Sequence, residues 1–176
     1  VAASIHHFNL VNTGTRHRLQ YQTVSPMMFV RGWWTITESA PSSIANYIPF
    51  KIVDNLVYVS GQGPIQNDKI VYTGKVGDNI SEEDGILAAE LCCLNIIASL
   101  HKSINGDWDR FDNFVKLGGF VNCKDNYINQ PKIINGASNL LVKIFGEQGK
   151  HTRFAVGSNS LPMNISVEID AIIKIK

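Results

Sequence analysis

The sequence has almost no net charge. Sixteen Lys and Arg offset fifteen Asp and Glu, leaving +1. A clustered basic face of the kind that holds nucleic acid is therefore not announced, and no nucleic-acid partner is expected. Long apolar runs are also missing. LCCLNIIASL is broken by Asn and Ser and falls short of the roughly 20 residues a membrane span needs, so no membrane partner is expected. Cysteine is scarce: Cys92, Cys93 and Cys123 make an odd number with no CxxC spacing. Adjacent helical residues point to different sides and do not readily bridge. Reduced, buried thiols in a reducing compartment follow, which favours the cytoplasm. The five His show neither HxxxH nor HExxH spacing, which argues against a metal site. GQGPIQ lacks the third Gly of a dinucleotide loop, and Pro64 leads into turn and strand sequence. No cofactor is expected.

One local deficit is sharper. Residues 1–37 contain no Asp, Glu or Lys, while Arg16, Arg18 and Arg31 stand among Ser, Thr and aromatics. That is the composition of an organellar transit segment, which would direct the chain to a mitochondrion or plastid. A read-through extension, a divergent extension and a structured arm fit the same composition. The domain division is therefore an N-terminal extension over 1–37 and one folded domain over 38–176, long enough for a sizeable core.

What is present is regular from Ala40 onward. FKIVDNLVYVSGQG predicts two strands around a turn at Asp54-Asn55. QNDKIVYTGKVG predicts a further short strand edged by Asn67-Asp68 and Gly74. The period then changes, and SEEDGILAAELCCLNIIASLHKS predicts a helix over about 82–103. Ser81 is its N-cap, Asp84 sits at the capping-box spacing, and Gly106 stops it. Its apolar face is read as Ile86, Leu87, Leu91, Leu94, Ile97, Ala98 and Leu100. FDNFVKLGGFVN is a strand whose Gly118-Gly119 allows a bulge or a close backbone approach. A second helix is expected over about 130–148, with Asn129 as cap, Pro131 in the first turn and Gly149 past its end. In ISVEIDAIIKIK, Ile165, Val167, Ile169, Ala171, Ile173 and Ile175 share one face. The order β-β-β-α-β-α-β-β predicts an α+β domain, with both helices on one face of a mixed or antiparallel sheet.

HTRFAVGSNSLPMNISVEIDAI poses the functional question. It reads as two strands around a turn, yet places Arg153 and Glu168 in otherwise apolar, strand-forming sequence. Arginine offers a rigid fork that pairs with carboxylates, and a half-buried glutamate has the chemistry of a proton-handling group. An interfacial salt bridge for Arg153, and a solvated strand face or an ion pair with Lys51 or Lys174 for Glu168, are the structural alternatives.

Four blocks in order resemble the reactive intermediate deaminases, the YjgF/RidA or endoribonuclease L-PSP family. They are APSSIANYIPFKIVDNLVYVSGQGP, TGKVG, VKLGGFVNCKDNYINQPKIINGAS and RFAVGSNSLPMNISVEIDAI. The third block looks closest to a less-studied branch. The resemblance implies a fold like the small (bacillus-type) trimeric chorismate mutase, with three sheets forming a central barrel and clefts between neighbours. It implies hydrolysis of a small carboxylate-bearing enamine or imine, such as 2-aminoacrylate, to a keto acid and ammonia. Arg153 would bind the carboxylate and Glu168 would position water or carry a proton. Tyr47 would cover the cleft mouth. Ser60, Gly61 and the helical Asn135 would contact the ligand. Ala155 stands where the best-known members carry Cys, which puts the choice of substrate in question more than the reaction class. A homotrimeric, non-catalytic binding protein for small carboxylates and an endoribonuclease are the rival readings.

Overall fold

The computed structural model describes residues 6–10, 19–23 and 47–176. The acid-free segment therefore lies largely outside the described residues. Its two described strands, β1 (His6–Leu10) and β2 (Leu19–Thr23), pair antiparallel.

The sheet that organises the domain has five strands. They are β3 (Phe50–Val53), β4 (Leu56–Gln62), β7 (Phe111–Asn122), β8 (Thr152–Ser158) and β9 (Val167–Ile175), in the order β3-β4-β9-β7-β8. Only β7 and β8 are parallel. Asp54 has φ of 52° and closes the expected β3–β4 turn. The single short strand expected after it is instead a minimal hairpin, β5 (Ile65–Gln66) and β6 (Lys69–Ile70). Asn67 and Asp68 both adopt positive φ there, so the two residues expected to edge a strand form its turn.

Helix α1 (Glu82–Ser103) has the predicted limits. Ser81 Oγ accepts from the Asp84 amide at 3.0 Å. Asn105 and Gly106 both take positive φ beyond the C-terminus, so Gly106 shares the stop with Asn105. The buried face differs from the expected one. Ala88, Ala89, Cys92, Cys93, Ile96 and Leu100 are buried, whereas Leu87 is exposed. Small residues lie inward because α1 is covered on two sides, by the sheet and by the second helix. By length and composition α1 could cross a membrane, but most of it is buried as a core helix.

The second helix, α2 (Gln130–Phe145), ends earlier than expected, at Gly146 with φ of 59°. A 3-10 turn over Gly146–Gly149 follows. Asn129 makes no side-chain cap; its amide donates instead to Glu82 Oε1 at 3.0 Å. Gly136 permits the helices to touch, since a Cβ there would run into the Ile86 carbonyl. Gly118 and Gly119 answer crowding from opposite faces. A Cβ at Gly118 would overlap Asp170 and Phe154, and one at Gly119 would press on Ile134. The β7 bulges lie earlier, between Phe111 and Asn113 and between Phe114 and Lys116.

Both helices cover one face of the sheet, enclosing Val57, Leu117, Val121, Ile169 and Ile173. The other face is covered by no described element. Tyr58, Phe120 and Val156 are exposed on it.

Candidate functional site

The two strands that carry Arg153 and Glu168 do not form a hairpin. Strand β7 lies between them, parallel to β8 and antiparallel to β9. Register then decides where each side chain goes, because residues paired across strands share a face. Arg153 pairs with the buried Leu117, on the helix side. Glu168 pairs with Phe120, on the open side. The two residues expected to work together therefore lie on opposite faces of one chain's sheet.

On the helix side, Arg153 is held by α2. Its Nη1 donates to Ser138 Oγ at 2.8 Å, and its Nη2 donates to Asn135 Oδ1 at 2.8 Å and to the Pro131 carbonyl at 3.3 Å. Asn135 and Ser138, three residues apart, fall on one helix face. All three acceptors are neutral oxygens. Among the described residues no carboxylate pairs with Arg153, although it is half-buried. Ala155 follows on the same side, paired with Gly119 and packed on the core.

Ser138 has a second partner. His151 Nε2 lies 3.0 Å from Ser138 Oγ, and His151 Nδ1 lies 2.7 Å from the Gly149 carbonyl. A carbonyl only accepts, so Nδ1 carries the proton and Nε2 accepts from the serine hydroxyl. Burial holds the His151 pKa below its ordinary value. The Arg153 charge adds to this, and the Gly149 bond opposes it. Ser138 and His151 were not singled out from the sequence. The available signals were the two-residue spacing of 151, 153 and 155, of which 153 and 155 share a strand face and 151 stands just before the strand, and the helical spacing of 135 and 138.

On the open side, Glu168 lies against Gly61, where a Cβ would overlap its carboxylate. The glycine turn and the glutamate are thus brought together. Burial raises the Glu168 pKa, and the Asp170 charge raises it further. Ser60 is engaged within the chain: its hydroxyl donates to the Ile48 carbonyl at 2.8 Å and its amide to the Pro49 carbonyl at 2.9 Å. That ties down the segment carrying Tyr47, which is exposed. Gly61 and Glu168, with Ser60 beside them in the chain, form one group, and Asn135 and Arg153, with Ala155 on the same strand face, form another; among the described residues no hydrogen bond joins Tyr47 to either. Among the described residues no group of three or more His, Cys, Asp or Glu converges as a metal site would require.

Comparison with known proteins extends these observations. Residues 30–172 match the model of the family described as "YjgF/chorismate mutase-like, putative endoribonuclease". Protein TCP17 of Trypanosoma cruzi is 34% identical over 138 residues, covering 78% of this chain and 86% of its own length. A crystal structure of an Agrobacterium tumefaciens protein of unknown function superposes with a TM-score of 0.73 at 48% identity, covering 75% of this chain and 83% of that one. The E. coli YjgF gene product shares the fold, with a TM-score of 0.57 at 21% identity, covering 78% of this chain and 94% of that one.

Proposed function

Because the chain belongs to the YjgF/chorismate mutase-like family, we propose that it hydrolyses small carboxylate-bearing enamines or imines of the 2-aminoacrylate and 2-iminopropionate type. The products are a keto acid and ammonia. The observation that carries this reading is Arg153, a half-buried guanidinium held on three neutral oxygens and, among the described residues, left without an acidic partner. A buried or half-buried cation usually has a counter-charge, and a bound carboxylate supplies one. Fixing the carboxylate places the adjacent C=N carbon for attack by water, and orientation can lower a barrier by several kcal/mol, on the order of 7 at best.

Glu168 enters from a second subunit. A homotrimer with sheets packed open face to open face would cover Tyr58, Phe120 and Val156 and set one chain's Glu168–Gly61 group beside its neighbour's Arg153. In that cleft Glu168 orients water, Tyr47 closes the mouth, and the Ser60-Gly61 backbone approaches the ligand.

The family description favours a second reading, cleavage of RNA. One experiment weighs both: keto-acid formation from freshly generated 2-aminoacrylate, with a parallel RNA-cleavage assay. The wild type is expected to accelerate keto-acid formation, and Arg153→Ala to lose at least about tenfold of that acceleration, as removal of a charged hydrogen-bond donor would. No acceleration by the folded wild type overturns the proposal. RNA cleavage abolished by the same substitution would establish the rival at this site.

A further inference from the structure

We propose that Ser138 is a catalytic acid–base group of this site, with His151 behind it as the positioning and proton-storing residue. The inference rests on the deaminase reading above and adds to it a proton path within the arginine's own chain. Three contacts carry it. Gly149 O accepts from His151 Nδ1, His151 Nε2 accepts from Ser138 Oγ, and Ser138 Oγ accepts from Arg153 Nη1. This has the geometry of a hydroxyl activated by a base that a third group orients. The chain is directional: Gly149 fixes the His151 tautomer, His151 fixes the hydroxyl proton, and Ser138 Oγ accepts from the guanidinium with one lone pair and keeps the other for a proton in transit.

An enamine such as 2-aminoacrylate first tautomerises to its imine, the methylene carbon gaining a proton as nitrogen loses one. Hydrolysis of the imine then needs such a relay twice. Water adds to the C=N carbon, its oxygen losing a proton while nitrogen gains one. The resulting carbinolamine then breaks its C–N bond, the remaining hydroxyl proton leaving oxygen as nitrogen departs as ammonia. In each half, Ser138 takes the proton from oxygen while passing its own to His151 Nε2. The pair then returns a proton to nitrogen, so Ser138 and His151 end unchanged. Anchoring of the carboxylate on Arg153 brings the reacting carbon close to the hydroxyl that the same arginine contacts. Both relay residues are half-buried rather than sealed.

The charges around His151 suit a neutral base. Strand β8 presents Arg153, α2 presents Ser138, and the 3-10 turn presents the Gly149 carbonyl. The Lys150 and Glu147 side chains of that turn pair with each other at 2.7 Å in solvent.

The test measures kcat and KM for 2-aminoacrylate across pH 5 to 9 in wild type, Ser138→Ala, Ser138→Thr and His151→Gln, with nitrogen NMR of the His151 ring. Ser138→Ala and His151→Gln are expected to lower kcat by about 100-fold, the low end of general acid–base effects, with KM within about twofold. Ser138→Thr, which keeps the hydroxyl, retains most of the rate. The wild-type rate falls at acid pH as His151 takes up a proton, and His151→Gln lacks that limb. At neutral pH the ring is neutral and protonated on Nδ1. Full turnover by Ser138→Ala, a loss confined to KM, or a cationic His151 at pH 7 overturns the inference while leaving the deaminase reading intact. A wild type without turnover overturns both.

Discussion

Glu168 keeps a carboxylate on a sheet face where burial and the neighbouring Asp170 both disfavour ionisation. The sign of its linkage follows. A carboxyl whose folded pKa is raised favours folding while both states hold the proton, and loses that contribution as pH rises through the folded value. Glu168→Gln is therefore expected to raise Tm at pH 7. The gain should shrink on acidification and vanish below the ordinary glutamate value of 4.5. Thermal unfolding at a series of pH values reads this directly, and a pH-independent difference would refute it. Arg153 and Asn135 were legible in the sequence because each sits inside a motif read as a block. Ser138 and His151 were not, because 13 residues separate them and only the return of the chain from α2 into β8 makes them neighbours. A search for ligand spacing along the sequence passes over such a pair.

The limits of α1 were legible because capping is local: Ser81 and Asp84 belong to one turn, and Asn105-Gly106 to the next break. Its buried face was not, since a helix covered on two sides turns Ala88, Ala89, Cys92 and Cys93 inward, which no single amphipathic stripe describes. Strand pairing was the least legible element. Nothing in HTRFAVGSNSLPMNISVEIDAI reports that β7 separates its two strands. Gly136 tests the helix pair. Alanine ordinarily favours a helix over glycine by about 1 kcal/mol, yet here its Cβ would strike the Ile86 carbonyl, which is backbone and cannot rotate away. Gly136→Ala is expected to destabilise the domain by about 2 kcal/mol, within the range for overpacked cores. Tm should fall by several degrees. A raised Tm would mean the helices separate at little cost.

At the scale of the whole molecule, the sequence identified the family fold and left the division of labour between faces to the structure. The helix face carries the arginine with its relay; the open face carries the glutamate with its glycine turn. A subunit of this kind is a donor on one side and an acceptor on the other, which would give the proposed homotrimer a genetics of its own. Arg153→Ala and Glu168→Ala chains, each inactive alone, would complement when refolded together. Going round any mixed ring of three, an intact Arg153 meets an intact Glu168 at one junction and no more. Three quarters of randomly mixed trimers contain both chains, so activity should return to about a quarter of wild type. Silence from the mixture would overturn the cleft shared between subunits.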